Sequence, residues 1–287
     1  MAMTLNGPFT IRVLTAFIRQ ELAKAGFSKA VLGLSGGLDS AVCAALGALA
    51  LGPKNILALL MPYGTSFGAD LDDARAAARV FRIRSRVIDI APMVDAYFAA
   101  PPSGRSGLRP RRNGRPAAGD RVRIGNKMAR ERMSILYDVS AQEKALILGT
   151  SNKTELLIGY GTIHGDMACA INPLGDLYKT QVRQLAAELG VPAAIRRKQP
   201  TAGLWAGQTD EGELGLTYDE IDKILYALVD ERESRADVVA RGFAREHVDA
   251  IIARMKASEF KRQMPPVAKI SSRTVGHDFL YPYDWDK

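Results

Sequence analysis

The chain has 287 residues, of which 47% are hydrophobic and 24% charged, the composition of an ordinary globular protein. With only two cysteines, the chain is not a disulfide scaffold. It has no apolar run near the ~20 residues that span a bilayer and no signal-peptide pattern, so we expect a cytoplasmic location and not a membrane protein. The net charge of +8 does not indicate a nucleic-acid-binding face, because residues 101–123 alone contribute +6 of it.

The first part of the chain alternates helical and strand patterns. Apolar residues at helical spacing, among them Leu14, Ile18 and Leu22, predict an amphipathic helix within residues 1–26. The pattern then predicts, in order, a strand at 30–34, a glycine-rich turn at 35–40, a helix at 41–51, a strand at 56–61, a helix at 70–81, a strand at 86–90, a helix at 128–140 and a strand at 145–148. Because the strands are short apolar runs separated by helices, we expect an α/β fold with a doubly wound parallel sheet.

The remaining segments predict one domain with peripheral parts around a core at residues 27–200. Within that core, residues 101–123 hold four prolines and four glycines among seven arginines, so they are expected to form a mobile basic loop. Residues 203–215 surround Trp205 with glycines and acids, a composition that suits a lid. Residues 218–287 are expected to form a helical C-terminal part that ends in a tail without a regular period.

The strongest chemical signal is the segment SGGLDS at residues 35–40, between a strand and a helix. Gly36 and Gly37 lack a Cβ, so their backbone N–H groups can approach an anion at the positive end of the following helix. Ser35 and Ser40 supply hydroxyl donors, and Asp39 supplies a hard oxygen ligand for Mg²⁺. The segment therefore indicates a site for a di- or triphosphate with its metal, the alternative being a glycine-rich turn without a ligand.

This segment differs from the two commonest phosphate-binding motifs. It lacks the Lys-Ser/Thr pair of a Walker A loop and the third glycine of the dinucleotide fingerprint. It resembles the pyrophosphate loop of the N-type ATP pyrophosphatases, which cleave ATP to AMP and pyrophosphate and share a Rossmann-like, adenine nucleotide alpha-hydrolase-like fold. The resemblance implies ATP contacts at Gly33, Leu34, Ser35, Gly36, Gly37, Asp39 and Ser40.

Later segments resemble one branch of that superfamily, the NAD synthetases. They follow the order of that family over about residues 30–280: GNKMARERM at 125–133, LGTSNKTE at 148–155, GDMA at 165–168, NPLGDLYKT at 172–180, PT at 200–201 and EFKR at 259–262. The resemblance implies these roles: ATP binding by Thr150, Lys179 and Thr201, Mg²⁺ binding by Asp39 and Glu155, catalysis by Asp39, Asp166 and Lys179, and substrate binding by Arg130, Phe260 and Lys261. Taken singly, each residue is also compatible with a solvated surface side chain or a turn.

The reaction implied by the resemblance is the amidation of nicotinic acid adenine dinucleotide to NAD. The substrate carboxylate attacks the α-phosphorus of ATP, pyrophosphate leaves, and ammonia then displaces AMP from the acyl adenylate. Asp39, Glu155 and Lys179 are expected to hold the pyrophosphate with Mg²⁺, and Asp166 and Thr201 to serve either a second metal or the incoming ammonia. By resemblance, we also expect a homodimer.

The length of the N-terminal segment bears on the source of ammonia. About 30 residues precede the first strand, too few for a glutaminase domain. We therefore expect free ammonia as the donor, with a separate glutaminase as a further option. Met167 and Phe260 nevertheless resemble glutamine-dependent members, and Ile163 and Ala170 stand where many ammonia-dependent relatives place Lys and Asp.

Two other functions compete with this interpretation. One is an ATP pyrophosphatase acting on tRNA or a nucleotide base, which the arginines of residues 101–123 favour. The spacing of Cys43 and Cys169 speaks against a tRNA thiolase, which usually needs paired cysteines. The other is a nucleotide-binding module without catalysis. The expected partners are ATP, the deamidated dinucleotide and ammonia, with no membrane and no nucleic acid.

Overall fold

The computed structural model describes residues 3–64, 68–99, 118–201, 203, 208–276 and 278. Its four strands are β1 Ala30–Gly33, β2 Ile56–Leu60, β3 Arg84–Val87 and β4 Leu146–Ile147. They form one parallel sheet in the order β3-β2-β1-β4, with Ala30 of β1 opposite both Ile56 and Leu146. The strand order reverses between β1 and β4, so the loops after these two strands open into the crevice where ligands bind in folds of this kind.

One helix precedes β1, others lie between the strands, and the rest form the C-terminal part. Their bounds are α1 Gly7–Lys24, α2 Leu38–Leu51, α3 Gly68–Val80, α4 Ala91–Ala99, α5 Ala118–Glu143, α6 Lys153–Ile158, α7 Lys179–Glu188, α8 Ala193–Arg197, α9 Asp210–Leu214, α10 Tyr218–Leu225, α11 Arg235–Ala240 and α12 Arg245–Ala257. A π-helical turn, Tyr226–Asp230, extends α10. No helix in these described ranges combines the length and apolarity needed to cross a membrane.

Two hydrophobic clusters cover the two faces of the sheet, which confirms the doubly wound fold. Leu32 and Leu60 point from β1 and β2 into a cluster formed with α1, α2, α3, α7 and α8. Val31 and Leu59, the alternate residues of the same strands, point into a second cluster with α4 and α5. Because side chains alternate along a strand, short runs that are apolar throughout can supply both faces.

A third hydrophobic cluster lies in the C-terminal part. It joins α10, α11 and α12 to Ile158 at the end of α6 and to Tyr178 before α7. Tyr218 and Ile224 of α10 are fully buried within it. The C-terminal helices therefore pack directly against the segments that follow β4.

Helices α7 and α8 were not predicted, and α2 begins at Leu38, within the predicted turn. Before β4, the structure differs most clearly from the predicted elements at three further places. The predicted strand at 86–90 is β3 at Arg84–Val87, where Arg84 at the sheet edge pairs with Glu143. Helix α4 was not predicted. Helix α5 begins ten residues earlier than expected, so residues 118–123 of the predicted mobile loop are helical. The reason is packing: Ile124 contacts the second cluster, and the Arg123 guanidinium lies 5.3 Å from the Phe98 ring.

Other predictions fall partly outside the described residues. This holds for residues 101–117 of the basic loop, and for residues 204–207 of the predicted lid, including Trp205. The rest of that lid contains α9, with Gln208 and Asp210 buried. Both segments therefore remain predictions in their proposed roles.

Candidate active site

The glycine-rich segment forms a tight loop between β1 and α2. The Ser35 backbone N–H donates to Ser40 Oγ at 3.2 Å, and Ser40 Oγ donates to the Gly37 carbonyl at 3.0 Å. Gly36 has φ +84°, and a Cβ there would lie 2.2 Å from the carbonyl oxygen of Asp70 in α3. Only glycine fits this position, because both the backbone conformation and the neighbouring carbonyl exclude a side chain.

A buried lysine joins this loop to the segments after β4. Lys179, the first residue of α7, is 4% exposed, and its ammonium contacts Asp39 Oδ2 and Glu155 Oε1, the latter at 3.2 Å. Its nitrogen also lies 5.1 Å from the centre of the Tyr218 ring. Three elements, α2, α6 and α7, thus bring two carboxylates and one ammonium to a single point beside the glycine loop.

The charges in this cluster shift each other's protonation. Burial and the nearby carboxylate of Asp39 raise the pKa of Glu155 to about 8, against the opposing effect of Lys179. Burial alone would lower the pKa of Lys179, but Asp39 and Glu155 outweigh it and raise that pKa. Two carboxylates therefore share one ammonium in a poorly solvated place, an arrangement that favours a further cation.

Asn152 orients both carboxylates, a role that the sequence interpretation missed. It is fully buried, and its Nδ2 donates to Asp39 Oδ1 at 3.0 Å. Its Oδ1 accepts from the Glu155 backbone N–H at 3.0 Å, while its own backbone N–H donates to Glu155 Oε2 at 3.3 Å. This is a capping box at the start of α6. The spacing Asn-x-x-Glu after a predicted strand is the signal that indicates it.

A cavity of about 760 Å³ opens beside this cluster. Its walls include most of the residues predicted for the site, namely Gly33, Leu34, Ser35, Gly37, Asp39, Ser40, Thr150, Glu155, Asp166, Lys179, Thr201 and Lys261. Gly36 is not a wall residue, because it faces Asp70 of α3. The structure thus brings together in one pocket segments that are as much as 228 positions apart, from Gly33 to Lys261.

Two of the three predicted substrate-binding residues lie away from the cavity wall. Arg130 is exposed, and its Nε donates to the Ile163 carbonyl at 3.2 Å. Phe260 is 58% exposed. Lys261 does reach the cavity, and its ammonium donates to the carbonyls of Gly159 and Gly161 at 2.8 Å each.

Arg132, two residues beyond Arg130 on α5, is a wall residue that the sequence interpretation did not assign. Its Nε donates to the Met61 carbonyl at 3.0 Å, at the end of β2. Burial lowers the pKa of Arg132 to about 10, while the charge of Asp166 opposes that shift. Burial has the opposite effect on an acid and raises the pKa of Asp166. The Oδ1 of Asp166 accepts from the Thr162 backbone N–H at 2.8 Å.

An acidic wall faces the loop from the described end of the predicted lid. The hydroxyl of Tyr218 donates to Asp210 at 3.0 Å. The hydroxyl of Tyr160 lies 2.7 Å from Glu213 and 3.0 Å from Asp210, so the two carboxylates share its one proton. These side chains come from α9, α10 and the turn after α6. No periodicity in the sequence connects them, so only the folded chain reveals this wall.

A parallel sheet with a glycine-rich loop at its switch point, and a cavity beside that loop, define a nucleotide-binding α/β protein of the Rossmann-like type. The family model described as NAD synthase matches residues 10–265. The chain belongs to the NAD synthase family, whose members are ligases.

Individual relatives agree with this assignment. The chain is 50% identical to an NH3-dependent NAD+ synthetase of Trichlorobacter lovleyi, over 99% of both chains. A solved NH3-dependent NAD synthetase of Campylobacter jejuni is 33% identical, with a TM-score of 0.74 over 93% of this chain and 100% of the other. A solved NMN synthetase of Francisella tularensis is 32% identical, with a TM-score of 0.78 over 92% of this chain and 99% of the other.

Proposed function

We propose that this protein converts nicotinic acid adenine dinucleotide to NAD, using ATP and ammonia. The observation that carries the proposal is the ammonium of Lys179 held between Asp39 and Glu155 beside the glycine loop. The relatives named as NH3-dependent synthetases support the choice of nitrogen donor. The products are AMP, pyrophosphate and the amide.

The first step activates the substrate carboxylate. An ionised carboxylate is a poor electrophile, so one of its oxygens attacks the α-phosphorus of ATP, and the bond to the bridging oxygen of pyrophosphate breaks. The backbone N–H groups of residues 35–40, the hydroxyls of Ser35 and Ser40, and Lys179 stabilise the charge that grows on the leaving pyrophosphate.

Asp39 and Glu155 fit a magnesium ion. Asp39 Oδ2 and Glu155 Oε1 both contact the Lys179 ammonium, so the two carboxylates lie close enough to share a cation, and Mg²⁺ sites typically combine one or two carboxylates with phosphate oxygens and water. No group of three or more His, Cys, Asp or Glu in the described ranges could form an all-protein metal site. When bound, Mg²⁺ supplies positive charge that neutralises the polyphosphate.

The second step is attack by ammonia on the carbonyl carbon of the adenylate, with departure of AMP. Ammonium must first lose a proton, and we assign its acceptance to Asp166, a cavity-wall carboxylate. Burial raises the pKa of Asp166, which makes its ionised form a better proton acceptor. Thr201, which also lines the cavity, is assigned to ATP.

The binding of the dinucleotide is assigned to Arg130, Phe260 and Lys261, together with Arg132 of the cavity wall. Arg130 and Phe260 lie outside the wall of a single chain, which supports a homodimer whose second copy completes this part of the site. The enzyme is assigned to the cytoplasm, where ATP is available, and a separate glutaminase remains a candidate source of ammonia there. Light scattering of the purified protein tests the dimer.

The test of the function is a turnover assay on the purified protein with ATP and Mg²⁺. We expect stoichiometric AMP, pyrophosphate and NAD with ammonium, and no turnover with glutamine. A parallel reaction with nicotinic acid mononucleotide is needed because one structural relative is named as an NMN synthetase. Turnover of the mononucleotide alone would refute the dinucleotide as substrate, and turnover with glutamine alone would refute ammonia as donor.

A further inference from the structure

A buried carboxylate of α10 connects the two segments that carry Glu155 and Lys179. Asp222 is fully buried, although it lies outside the wall of the cavity. Its Oδ1 accepts from the hydroxyl of Thr154 at 2.5 Å, and its Oδ2 accepts from the backbone N–H of Thr180 at 2.8 Å. One donor is next to Glu155 and the other is next to Lys179 in sequence.

The hydroxyl of Thr154 extends this connection to Lys179 itself. Thr154 Oγ1 accepts from the Lys179 backbone N–H at 3.0 Å while its proton is donated to Asp222. At the start of α7, the backbone N–H of Tyr178 donates to Gln181 Oε1 at 2.9 Å, whereas the N–H groups of Lys179 and Thr180 donate to Thr154 and Asp222 outside the helix. Asp222 thus accepts one of the free N–H groups of this helix start from another helix, and its negative charge is favourable at a helix N-terminus.

A second carboxylate, Asp230, also contacts the starts of both α6 and α7, in each case one residue earlier in the sequence than Thr154 and Lys179. Asp230, at the end of the π-helical turn, accepts from the ammonium of Lys153 at 2.8 Å and from the hydroxyl of Tyr178 at 2.5 Å. Lys153 precedes Thr154, and Tyr178 precedes Lys179. A π-helical turn changes the angular spacing of a helix, and such turns are frequent at functional sites.

We propose that Asp222 and Asp230 are positioning residues of the active site, which fix the starts of α6 and α7 relative to each other and thereby the separation of Glu155 from Lys179. Neither carboxylate is assigned a contact with ATP or the substrate. The inference rests on the proposed function, since it concerns the groups that hold the leaving pyrophosphate.

The energetics favour positioning over stabilisation of the fold. Burial raises the pKa of Asp222 despite its hydrogen bonds, so retaining an ionised carboxylate there costs free energy. The third hydrophobic cluster already packs α10 through Tyr218 and Ile221. The starts of α6 and α7 are also joined by the bond from the Lys153 backbone N–H to the Leu177 carbonyl at 2.8 Å, and the buried hydrogen bonds of Asp222 rigidify this junction further.

The experiment compares Asp222→Asn with Asp219→Asn on the same helix. Asp219 is exposed and pairs only with Lys223 among the described residues, so it is a matched control for charge and helix position. We expect Asp222→Asn to slow first-turnover pyrophosphate release at least about tenfold per folded molecule, since small misplacements of reacting groups have effects of this size. Asp219→Asn should match the wild type, and Asp230→Asn should have a smaller effect, because Asp230 is 32% exposed.

Thr154 provides a second test that does not depend on how Asp222→Asn folds. Thr154→Ser keeps the hydroxyl and should retain the wild-type rate, whereas Thr154→Val keeps the shape and should lose as much as Asp222→Asn. A purely structural role would lower the unfolding midpoint of both Thr154 variants without separating their rates per folded molecule. Equal first-turnover rates for Thr154→Ser and Thr154→Val would overturn the proposal.

Failure of the proposed function would be recognised separately. In that case the wild type would not amidate the dinucleotide, yet binding of ATP with Mg²⁺ can still be measured by calorimetry without the second substrate. Weaker binding in Asp222→Asn than in Asp219→Asn supports the positioning role even then. Equal binding in the two variants, with equal pyrophosphate release, overturns it while leaving the function of the wild type unaffected.

Discussion

Replacing Gly36 by alanine should leave the protein folded but reduce its activity strongly. The left-handed conformation at φ +84° costs an L-residue about 1–2 kcal/mol. In addition, the new Cβ would lie 2.2 Å from the Asp70 carbonyl oxygen, whereas real contacts of a Cβ stay beyond 3.0 Å. The loop and α3 must therefore separate by at least about 0.8 Å, a displacement that should reduce kcat/KM for ATP roughly 10- to 100-fold.

The matched control is Gly26→Ala, in the turn between α1 and β1. Gly26 has φ +78°, nearly the same conformation, but a Cβ there meets nothing within 4 Å. Both variants should lose about 1–2 kcal/mol of unfolding free energy in guanidinium titrations from the backbone conformation alone. Only Gly36→Ala should also lose pyrophosphate release.

Comparing the two variants distinguishes a steric effect at Asp70 from a general effect of backbone strain. If Gly36→Ala loses no more stability than Gly26→Ala and keeps the wild-type kcat/KM for ATP, the loop tolerates a side chain. The close approach to Asp70 would then not determine the shape of the phosphate site. If instead Gly26→Ala also loses activity, the effect is a general response to strain.

Three further outcomes follow from the charges and burial of the site. Lys179→Met should lower the rate of pyrophosphate release about 100-fold or more in a steady-state assay, because it removes the ammonium beside Asp39 and Glu155. The pKa of Glu155 is raised from 4.5 to about 8 in the folded protein. Its protonated form therefore contributes stability fully below pH 4.5, and this contribution is lost as the pH rises through about 8. The unfolding free energy of the ligand-free wild type should fall more steeply between about pH 5 and pH 9 than that of Glu155→Gln. Burial raises the pKa of both thiols, but Cys43 is fully buried and Cys169 is partly exposed, so a thiol reagent should slowly modify Cys169 alone in the native protein, and both thiols in denaturant.

The inner strands of the sheet and the helices α1, α2 and α3 were predictable because local signals determine them. The short apolar runs of β1 and β2 alternate between two clusters, and the glycine loop follows β1 directly. The edge strand β3 was less predictable, because its residues Arg84 and Arg86 are exposed and carry no apolar pattern. The start of α5 was missed because it is stabilised by a tertiary contact, the Arg123 guanidinium on the Phe98 ring.

The parts of the site that lie in one continuous stretch of sequence were predictable, whereas the parts that combine residues distant in sequence were not. Residues 35–40 and the Asn-x-x-Glu turn that carries Glu155 are each readable from neighbouring positions. By contrast, Asp222 lies 68 positions from its partner Thr154, and nothing in the local sequence distinguishes it from Asp219. Which arginine of the pair Arg130 and Arg132 enters the cavity depends on the rotation of α5, which a two-residue spacing on a helix cannot reveal.

The charge of the central cluster gives a physical reason for the proposed magnesium ion beside Lys179. Asp39, Glu155 and Lys179 together carry one net negative charge when Glu155 is ionised. Two like charges at about 4 Å repel by roughly 4 kcal/mol at an effective dielectric constant near 20, so a polyphosphate would be repelled by the carboxylates that flank its loop. Lys179 alone cannot reverse this sign, but a divalent cation on the two carboxylates does. While Glu155 is protonated, which its raised pKa of about 8 favours at neutral pH, the cluster is neutral. Once Glu155 is ionised, the carboxylates oppose ATP without the proposed metal and favour ATP with it, which would make the binding of the two ligands mutually dependent.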